Sequence, residues 1–450
     1  MMRPLLEAAA DRAARYLEGL RERPVAPTPG AIARLAELET ALPDKPCDPT
    51  EVLEQLDEVG SPATMGMAGP RFFGFVIGGS LPAALAANWL AGAWDQMSAF
   101  EASSPGAARF ERVSMRWILE LLGLPRECGV GFVTGASVAN LAALAAGRHR
   151  VLRQAGWDVE ADGLFGAPPI TVIVGDEGHP SLFKALGLLG LGRRRTVRVP
   201  VDGQGRMRAD ALPPLAGPTI ICTQAGNVNT GAIDPVGEIC EKAHQAGSWV
   251  HVDGAFGLWA AASPQYAGLT AGVENADSWA TDAHKWLNVP YDSGLAILRD
   301  AEALRAAMSV SAEYLPAAGQ GRNPSDFTPE MSRRARGVEI WAALRSLGRS
   351  GVAELVERCC RLARRFAEGL EEAGYRVLND VVLNQVLVSF GEGETTARVI
   401  EALQVDGTCW CGITRWQGRP AMRISVSSWA TTEDDVDRSL DAMLRIARSQ

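Results

Sequence analysis

The sequence lacks any cluster of positive charge. Its 44 lysine and arginine residues are outnumbered by 53 aspartate and glutamate residues, for a net charge of −9, and they are spread along the chain. Proteins that bind nucleic acids usually carry a basic patch or stripe, so nucleic acid is not expected as a partner. The acidic balance instead favours solubility.

Histidine and cysteine are also scarce for a metal protein. The chain has 5 histidines and 8 cysteines. The pairs Cys359-Cys360 and Cys409-Trp410-Cys411 lack the spacing and the neighbouring histidines of a zinc site, so no metal is predicted. We expect free or buried thiols, as in a reducing cytosol.

A long uninterrupted apolar segment is missing as well. The N-terminal stretch MMRPLLEAAADRAARYLEGL carries charges where a signal peptide needs an apolar core, and it predicts an amphipathic helix. The most apolar window, residues 72–94, is interrupted by Gly78, Gly79, Pro82 and Asn88, which favours a buried loop and a buried helix over a membrane span. We therefore expect a cytoplasmic protein with no membrane partner.

What the sequence does contain predicts several structural sections. With 450 residues, of which 47% are hydrophobic, the chain is too long for one ordinary core. Residues 1–90 are helical with proline-rich breaks, which indicates an arm that embraces a partner subunit. Residues 91–330 form the main domain. Residues 331–450 predict a smaller α+β domain, whose last helix begins with the capping sequence Thr432-Glu-Asp-Asp435.

The main domain alternates strand-like and helix-like runs. Apolar segments such as GVGFVT, ITVIVG and TIICT are each followed by a helical pattern. This order predicts an α/β fold with a mostly parallel sheet and helices on both faces. Ligands bind such sheets at the carboxyl ends of the strands, and the candidate polar residues all follow those ends.

Asp253 and Lys285 are the most informative of these candidates. A carboxylate at the end of the apolar run WVHVD is costly to bury unless a positive group pairs with it. A protonated pyridine ring would supply that charge, and Ala255 is small enough to lie beneath such a ring. Lys285 follows His284 among few polar neighbours, which favours the free amine that Schiff-base chemistry needs. Together they predict pyridoxal 5'-phosphate (PLP) as cofactor.

Weaker signals accompany this pair. Gly135-Ala136-Ser137 follows a strand and opens a helix, where N–H groups and a hydroxyl would face a phosphate, although structural turns of this kind are equally common. His179 could stack on the ring or be an ordinary loop histidine. Asn227 could bind the phenolic oxygen of the cofactor or simply stabilise its own turn.

These residues belong to a longer series of motifs. In chain order the motifs are Pro70-Arg-Phe-Phe-Gly-Phe75, Leu81-Pro82, Ser103-Ser-Pro105, GASVAN at 135–140, His179, HVDGA at 251–255, His284-Lys-Trp286 and GRPAMRIS at 418–425. With this series the chain resembles the group II PLP-dependent decarboxylases, which include aromatic-amino-acid, glutamate and histidine decarboxylases. The resemblance covers nearly the whole chain, and motifs combined in this order are highly specific.

The resemblance implies a fold and a set of roles. The fold is that of the fold-type-I, aspartate-aminotransferase-like enzymes, with a mostly parallel seven-stranded sheet in a large domain, an N-terminal helical arm and a small C-terminal domain. Lys285 would form the Schiff base, Asp253 would bind the pyridine nitrogen and His179 would stack on the ring, and these three are the expected catalytic residues. The other expected cofactor contacts are Gly135, Ala136, Ser137, Asn227, Ala255, Asp282 and His284.

Substrate contacts are less clearly marked. Arg423 matches a position that binds a substrate carboxylate in some family members. Phe75 and Ile77 suggest an apolar or aromatic substrate side chain, although core packing explains them equally well. We expect a homodimer, because the N-terminal arm has too little core of its own.

Two departures from the family pattern bear on the chemistry. Many members have asparagine where this chain has Asp282, which changes the charge beside the phosphate. The Gly/Pro-rich segment 316–324 predicts a mobile loop over the site. Family members often carry a proton-donating tyrosine on this loop, whereas the expected tip, Asp326-Phe327, has none, and Phe327 is accordingly a fourth weakly marked substrate contact. Tyr314 is the alternative donor.

The leading hypothesis is therefore a PLP-dependent carboxy-lyase that releases CO2 from an L-amino acid and gives an amine. If Phe327 stands in for the proton donor, the product would be an aldehyde, formed with ammonia and peroxide. Aminotransferases and carbon–sulfur lyases share the fold and the lysine, so both stay open. A non-catalytic PLP-binding protein is the remote alternative. The presence of a buried aspartate together with a desolvated lysine argues against it, since such a protein needs neither.

Overall fold

A computed structural model describes residues 2–310 and 322–450. By their internal contacts these residues form two units. The first comprises the residues up to Gly79, Leu362–Leu378 and Val386–Gln450, and the second comprises Ser80–Arg361 and Asn379–Gln385. This division differs from the three predicted sections, because the N-terminal arm and much of the C-terminal section share one unit.

Helices and strands alternate through most of the second unit. The helices of the described chain are α1 Met2–Gly19, α2 Pro29–Arg34, α3 Pro49–Gln55, α4 Ser61–Ala63, α5 Pro82–Trp94, α6 Pro105–Leu121, α7 Ala136–Gln154, α8 Val159–Asp162, α9 Pro180–Leu188, α10 Val236–Gln245, α11 Ala301–Met308, α12 Gly337–Glu372, α13 Thr395–Asp406 and α14 Glu433–Ala447. The strands are β1 Gly129–Val133, β2 Thr171–Gly175, β3 Val197–Val199, β4 Thr219–Gln224, β5 Trp249–Asp253, β6 Ser278–Asp282, β7 Gly294–Leu298, β8 Arg376–Val377, β9 Gln385–Ser389, β10 Gly412–Trp416 and β11 Arg419–Ser425.

The second unit is built on a seven-stranded sheet of order β1-β7-β6-β5-β4-β2-β3. The pairs from β6 to β3 are parallel, whereas β7 runs antiparallel to both β1 and β6. The predicted α/β fold with a mostly parallel sheet is therefore confirmed. Helix α7 packs on β1 and on β4 to β7, and its buried face is rich in alanine, which lets the helix approach the strands closely.

The outer edge of β1 is covered by the chain that follows residue 321. The Arg322 side chain donates a hydrogen bond to the Val130 carbonyl, and Arg333 donates one to the Phe132 carbonyl at 2.7 Å. Gly131 lies beneath this covering chain. A Cβ atom at that position would stand 2.1 Å from the Phe327 carbonyl oxygen, so glycine is required by the close approach.

The first unit contains a four-stranded sheet of order β10-β11-β9-β8. The predicted cap of α14 is confirmed: Thr432 Oγ1 accepts a hydrogen bond from the Asp435 N–H, and the Asp435 carboxylate accepts one from the Thr432 N–H at 3.0 Å. Asp435 also pairs with Arg21 at 3.2 Å and with Arg71 at 3.7 Å. These pairs join the N-terminal arm to the last helix, which explains why the two sections form one unit.

Helix α5 forms in the most apolar window, but the expectation that it is buried is wrong for the single chain. Ala84 and Ala91 are its buried residues, whereas Trp89, Leu90 and Trp94 are between 44% and 55% exposed. Trp94 stacks on Phe110 with the ring centroids 6.2 Å apart, and about half of each of these three side chains remains exposed in the described chain. None of the helices described there is both long enough and apolar enough to cross a membrane.

The cysteines are free thiols, as expected. Cys47 is exposed and the other seven are buried. Burial raises the pKa of Cys128, Cys240 and Cys359 to about 12, so these thiols stay protonated and unreactive at neutral pH.

Candidate active site

The carboxyl ends of β4, β5 and β6 and the starts of α7 and α9 open onto one cavity of about 360 Å³. Parallel α/β sheets bind ligands at this edge. All the expected cofactor contacts except Asn227 line the cavity. The full lining is Thr134, Gly135, Ala136, Ser137, His179, Ser181, Gln224, Gly226, Val228, Asp253, Ala255, Phe256, Asp282, His284, Lys285 and Tyr291.

Asp253 ends β5 and is 5% exposed. Its Oδ2 accepts a hydrogen bond from Asn140 Nδ2 at 3.1 Å, and its Oδ1 accepts one from the Ala255 N–H at 3.3 Å. In the described part of the chain no cationic side chain forms an ion pair with it. A buried carboxylate with only neutral donors is suited to receive a cation from a ligand.

A chain of buried side chains holds Asn140 in this orientation. Because Asn140 Nδ2 donates to Asp253, its Oδ1 accepts from His251 Nε2 at 2.8 Å, and His251 Nδ1 then accepts from Ser278 Oγ at 2.9 Å. Trp249 Nε1 donates to the same serine oxygen at 2.9 Å. Burial lowers the pKa of His251 to about 4, so the ring is neutral and can donate from one nitrogen while accepting at the other.

Lys285 lies in the turn after β6, where it pairs with Asp282 and is not the free amine that the sequence predicted. The lysine Nζ is 3.0 Å from Asp282 Oδ2, and Asp282 Oδ1 accepts a hydrogen bond from the Ala136 N–H at 2.6 Å. His284 Nε2 is 3.6 Å from the same Oδ1 atom. The buried Asp282 carboxylate therefore binds the first N–H of α7, and the partial positive charge at this end of the helix favours an anion there.

The His284 ring is fixed from two sides. Its Nδ1 accepts a hydrogen bond from the Ser293 N–H at 3.1 Å, and its ring stacks on Tyr291 with the ring centroids 4.2 Å apart. Burial is the main cause that lowers the pKa of His284. Because Nδ1 is an acceptor, the proton of the neutral ring lies on Nε2, toward Asp282.

His179 is held at the start of α9. Its Nδ1 accepts a hydrogen bond from the Ser181 N–H at 3.3 Å and lies 2.7 Å from Ser181 Oγ. Since the backbone N–H donates to Nδ1, the proton of the neutral imidazole is on Nε2. The ring can therefore donate a hydrogen bond from Nε2.

Asn227 is the expected cofactor contact that the structure does not bring to the cavity. Its Oδ1 accepts hydrogen bonds from the N–H groups of Asn229 at 2.9 Å and Thr230 at 3.3 Å. Its amide is thus engaged in its own turn, which was the alternative interpretation. Val228 and Gly226, on either side of it, line the cavity instead.

Phe327 is not at the tip of a loop over the cavity, and this expectation needs correction. It ends a short 3-10 turn, Pro324–Phe327, and is buried in the core formed by α7, α11 and the sheet. The Arg322 guanidinium lies 3.8 Å from the centre of its ring. Phe327 is itself part of the segment that covers β1, and its side chain packs into the core. Tyr314 and most of the segment 316–324 lie outside the described residues.

The other three weakly marked substrate residues belong to the first unit. Phe75 is 60% exposed and stacks on Trp410 with centroids 5.4 Å apart, Ile77 is buried, and Arg423 lies in β11. Burial lowers the pKa of Arg423.

Several cavity residues were missed by the sequence interpretation. Gln224 ends β4 just as Asp253 ends β5, and its Nε2 donates to the Glu177 carbonyl at 3.1 Å. The strand-end rule that selected Asp253 would have selected Gln224 as well. Tyr291 and Phe256 carried no local signal, because loop aromatic residues are more often structural.

The cavity fits PLP in most respects. Asp253 has no cationic partner in the described chain, Lys285 supplies the nitrogen for a covalent bond, and the start of α7 offers N–H groups to a phosphate. The one feature that opposes the fit is the Asp282 carboxylate at the start of α7, since it would lie beside a phosphate of the same charge.

Comparison with known proteins points the same way. Residues 29–391 match the family model described as the pyridoxal-dependent decarboxylase conserved domain. Tryptophan decarboxylase 1 of Oryza sativa subsp. japonica is 28% identical over 97% of this chain and 91% of its own. Phenylacetaldehyde synthase of Arabidopsis thaliana is 26% identical over 89% of this chain and 87% of its own.

A solved structure shows the same fold. The crystal structure of Oryza sativa TDC with PLP and tryptamine matches 100% of this chain and 98% of its own with a TM-score of 0.91 and 24% sequence identity. Fold type I is therefore confirmed.

The neutral, buried state of His251 predicts a loss of stability in acid. A histidine titrates near 6.5 in the unfolded chain and at about 4 here, so the unfolded state binds more protons between these values. Stability is therefore lost as the pH falls from 6.5 toward 4. Between pH 7 and 4.5 we expect the wild type to lose roughly 2–3 kcal/mol more free energy of unfolding than His251→Gln, measured by urea denaturation.

The exposed histidine His244 provides the control for this measurement. His244→Gln keeps the buried His251, so its loss of stability over the same pH range should still exceed that of His251→Gln. Equal losses in the wild type and His251→Gln would contradict the prediction.

Proposed function

The chain belongs to the family of pyridoxal-dependent decarboxylases, and we propose that it removes the α-carboxylate of an L-amino acid as CO2 and leaves the amine. It is accordingly a PLP-dependent lyase. The observation that carries the proposal is that Asp253 and Lys285 line one cavity in a chain that matches the family over residues 29–391.

Each side chain of the cavity has a proposed task. Lys285 holds the cofactor through its amine, and Asp253, oriented by Asn140, keeps the ring nitrogen protonated. The start of α7, with Ser137 and His284, binds the phosphate. When bound, the cofactor draws electrons from the bond to the departing carboxylate. The contribution of the chain itself is a fixed set of donors and charges in a largely buried site.

His179 is proposed to orient the substrate carboxylate. Ser181 keeps the imidazole proton on Nε2, so the ring offers a neutral donor. A strong ion pair would stabilise the carboxylate before the reaction more than in the transition state, where its charge is leaving. A neutral hydrogen bond positions the group at a smaller cost to the rate.

For the substrate we propose an amino acid with an aromatic or other apolar side chain. The names of both relatives described above, tryptophan decarboxylase 1 and phenylacetaldehyde synthase, refer to aromatic compounds. On this chain, Phe75 supports the proposal because it is exposed and has a left-handed φ of 55°, which is rare for a bulky residue and is found mostly at functional sites. Arg423 is proposed as a weaker contact for a substrate carboxylate.

A product assay tests the reaction. The PLP-loaded protein is incubated in air with each proteinogenic amino acid, and the products are identified by mass spectrometry. We expect an amine that is lighter than its parent by CO2, and the parents that react should be aromatic. Lys285→Ala should reduce the rate at least 10²-fold, because the amine that holds the cofactor is gone. Full turnover by this variant would refute the proposal.

The position of Phe327 in the core makes a separate prediction about the product. Phe327→Tyr adds a hydroxyl among packed side chains, so it should lower the free energy of unfolding by about 1–3 kcal/mol without changing the amine-to-aldehyde ratio. Tyr314→Phe, which removes the alternative donor, should raise the share of aldehyde in the same assay. The roles would be reversed if Phe327→Tyr alone altered the ratio.

We also propose a homodimer that uses the exposed face of α5. Trp89, Leu90 and Trp94 are large, apolar and exposed together, and Met97, just after the helix, is 42% exposed. Contiguous apolar faces of this kind mark interaction sites. A second copy of the chain would bury this face by the symmetric contact that most homo-oligomers use.

Sedimentation of two matched variants tests the dimer. Leu90→Asp places a charge on the α5 face and should shift the protein from dimer to monomer at micromolar concentration. Val405→Asp, on the α13 surface, changes a residue that is even more exposed, at 89%, and should remain dimeric. A wild type that sediments as a monomer with intact activity would exclude the proposal.

A further inference from the structure

We propose that Asp282 takes the proton from Lys285 when the cofactor binds, and that the resulting carboxylic acid then donates a hydrogen bond to the cofactor's phosphate. The inference rests on the proposed cofactor site, with Lys285 as the bonded amine. It does not depend on which amino acid is the substrate.

The position of Asp282 between the lysine and the start of α7 carries the argument. One carboxylate oxygen is 3.0 Å from Lys285 Nζ, and the other accepts the Ala136 N–H at 2.6 Å. Asp282 is therefore within proton-transfer reach of the reacting amine. It also lies at the N–H group that a phosphate would otherwise use.

The proton must leave Lys285 for the cofactor to be bonded. In the ion pair with Asp282 the lysine is an ammonium, and an ammonium has no lone pair to attack an aldehyde. Transfer of one proton to Asp282 Oδ2 frees the lone pair, and the nitrogen bonds to the aldehyde carbon. The carbon–oxygen bond breaks, and the oxygen leaves as water with the two remaining N–H protons. One ammonium, one carboxylate and one aldehyde thus give one carbon–nitrogen double bond, one carboxylic acid and one water.

The same step explains how the chain tolerates a carboxyl group beside a phosphate. Once Lys285 is bonded, Asp282 loses its cation and faces a phosphate that is close to doubly charged at neutral pH. Two like charges at short range in a buried site favour protonation of one of them. As an acid, Asp282 can donate an O–H···O⁻ bond, which is among the stronger hydrogen bonds. With an asparagine in this place the lysine proton would have to leave for the solvent, so aspartate makes cofactor binding less dependent on pH.

The neighbouring titratable groups leave this role to Asp282. His284 is kept neutral mainly by burial, and the Tyr291 phenol, with a pKa raised to about 12 by burial and by Asp282, stays protonated. Asp253 and His179 line the same cavity. Asp292, which follows Tyr291, pairs with Arg336 at 2.8 Å. In the described chain, Lys285 is the cation of the cavity and Asp282 is the base in contact with it.

The test compares the wild type with Asp282→Asn and Asp292→Asn. Asp292→Asn is the matched control, because it removes the same charge close by without touching Lys285. PLP affinity is measured by absorbance from pH 6 to 8. Relative to the wild type, Asp282→Asn should gain about tenfold in affinity for each unit by which the pH rises, because its lysine must release a proton to the solvent, whereas in the wild type that proton stays on Asp282. Asp292→Asn should follow the wild type.

Infrared difference spectroscopy gives a second readout that needs no turnover. Addition of PLP to the wild type should produce a carbonyl band of a protonated carboxylic acid that shifts in D2O. The band should persist in Asp292→Asn and be absent from Asp282→Asn, or from Asp282→Ser if the asparagine variant does not fold. A wild type without the band, or affinities whose ratio does not change with pH, would overturn the role of Asp282.

Failure of the underlying site is distinguishable. If the absorbance of bound PLP is the same in the wild type and in Lys285→Ala, then Lys285 is not the bonded amine, and both the site assignment and this inference are wrong.

Discussion

Two buried carboxylates end neighbouring strands, and in the described chain one lysine is close enough to pair with one of them. Asp282, at the end of β6, takes the lysine at 3.0 Å, and Asp253, at the end of β5, is left with an amide and a backbone N–H. A buried carboxylate without a cation costs free energy. The surrounding structure therefore has to hold Asp253 in place, and the arrival of a cationic ring would relieve that cost.

Helix α7 is what holds both carboxylates. Its first N–H, on Ala136, binds Asp282, and Asn140 on the same helix binds Asp253. Four residues of α-helix rise about 6 Å, so the helix itself sets the separation of the two contacts. The start of α7 lies in close contact with β7: a Cβ atom at Gly294 would lie only 2.4 Å from the Cα atom of Gly135. The spacing of the charged groups is thus a property of backbone packing more than of flexible side chains.

Local patterns were enough to predict the strand ends, the helix starts and the residues that come directly after them. Asp253, Lys285 and His179 could be found because each follows an apolar run at the edge where a parallel sheet binds ligands. Asn227 could not be settled, because an asparagine in a turn chooses between its own backbone and a ligand, and only the fold decides. Phe327 was placed wrongly because the residue that its backbone covers, Gly131 in β1, lies nearly two hundred positions earlier in the sequence, a separation that no local pattern reports.

The covering of β1 has a consequence for the behaviour of the protein in concentrated solution. An edge strand with free carbonyls is a template on which strands of other molecules can pair, and it is a common starting point for aggregation. Here Arg322 and Arg333 occupy carbonyls of β1 with charged guanidinium groups, and the opposite edge is the short strand β3, Val197–Val199. One edge of the seven-stranded sheet is therefore covered by charged side chains and the other edge is short. The protein can associate through its helical surfaces without strands of other molecules adding to this sheet.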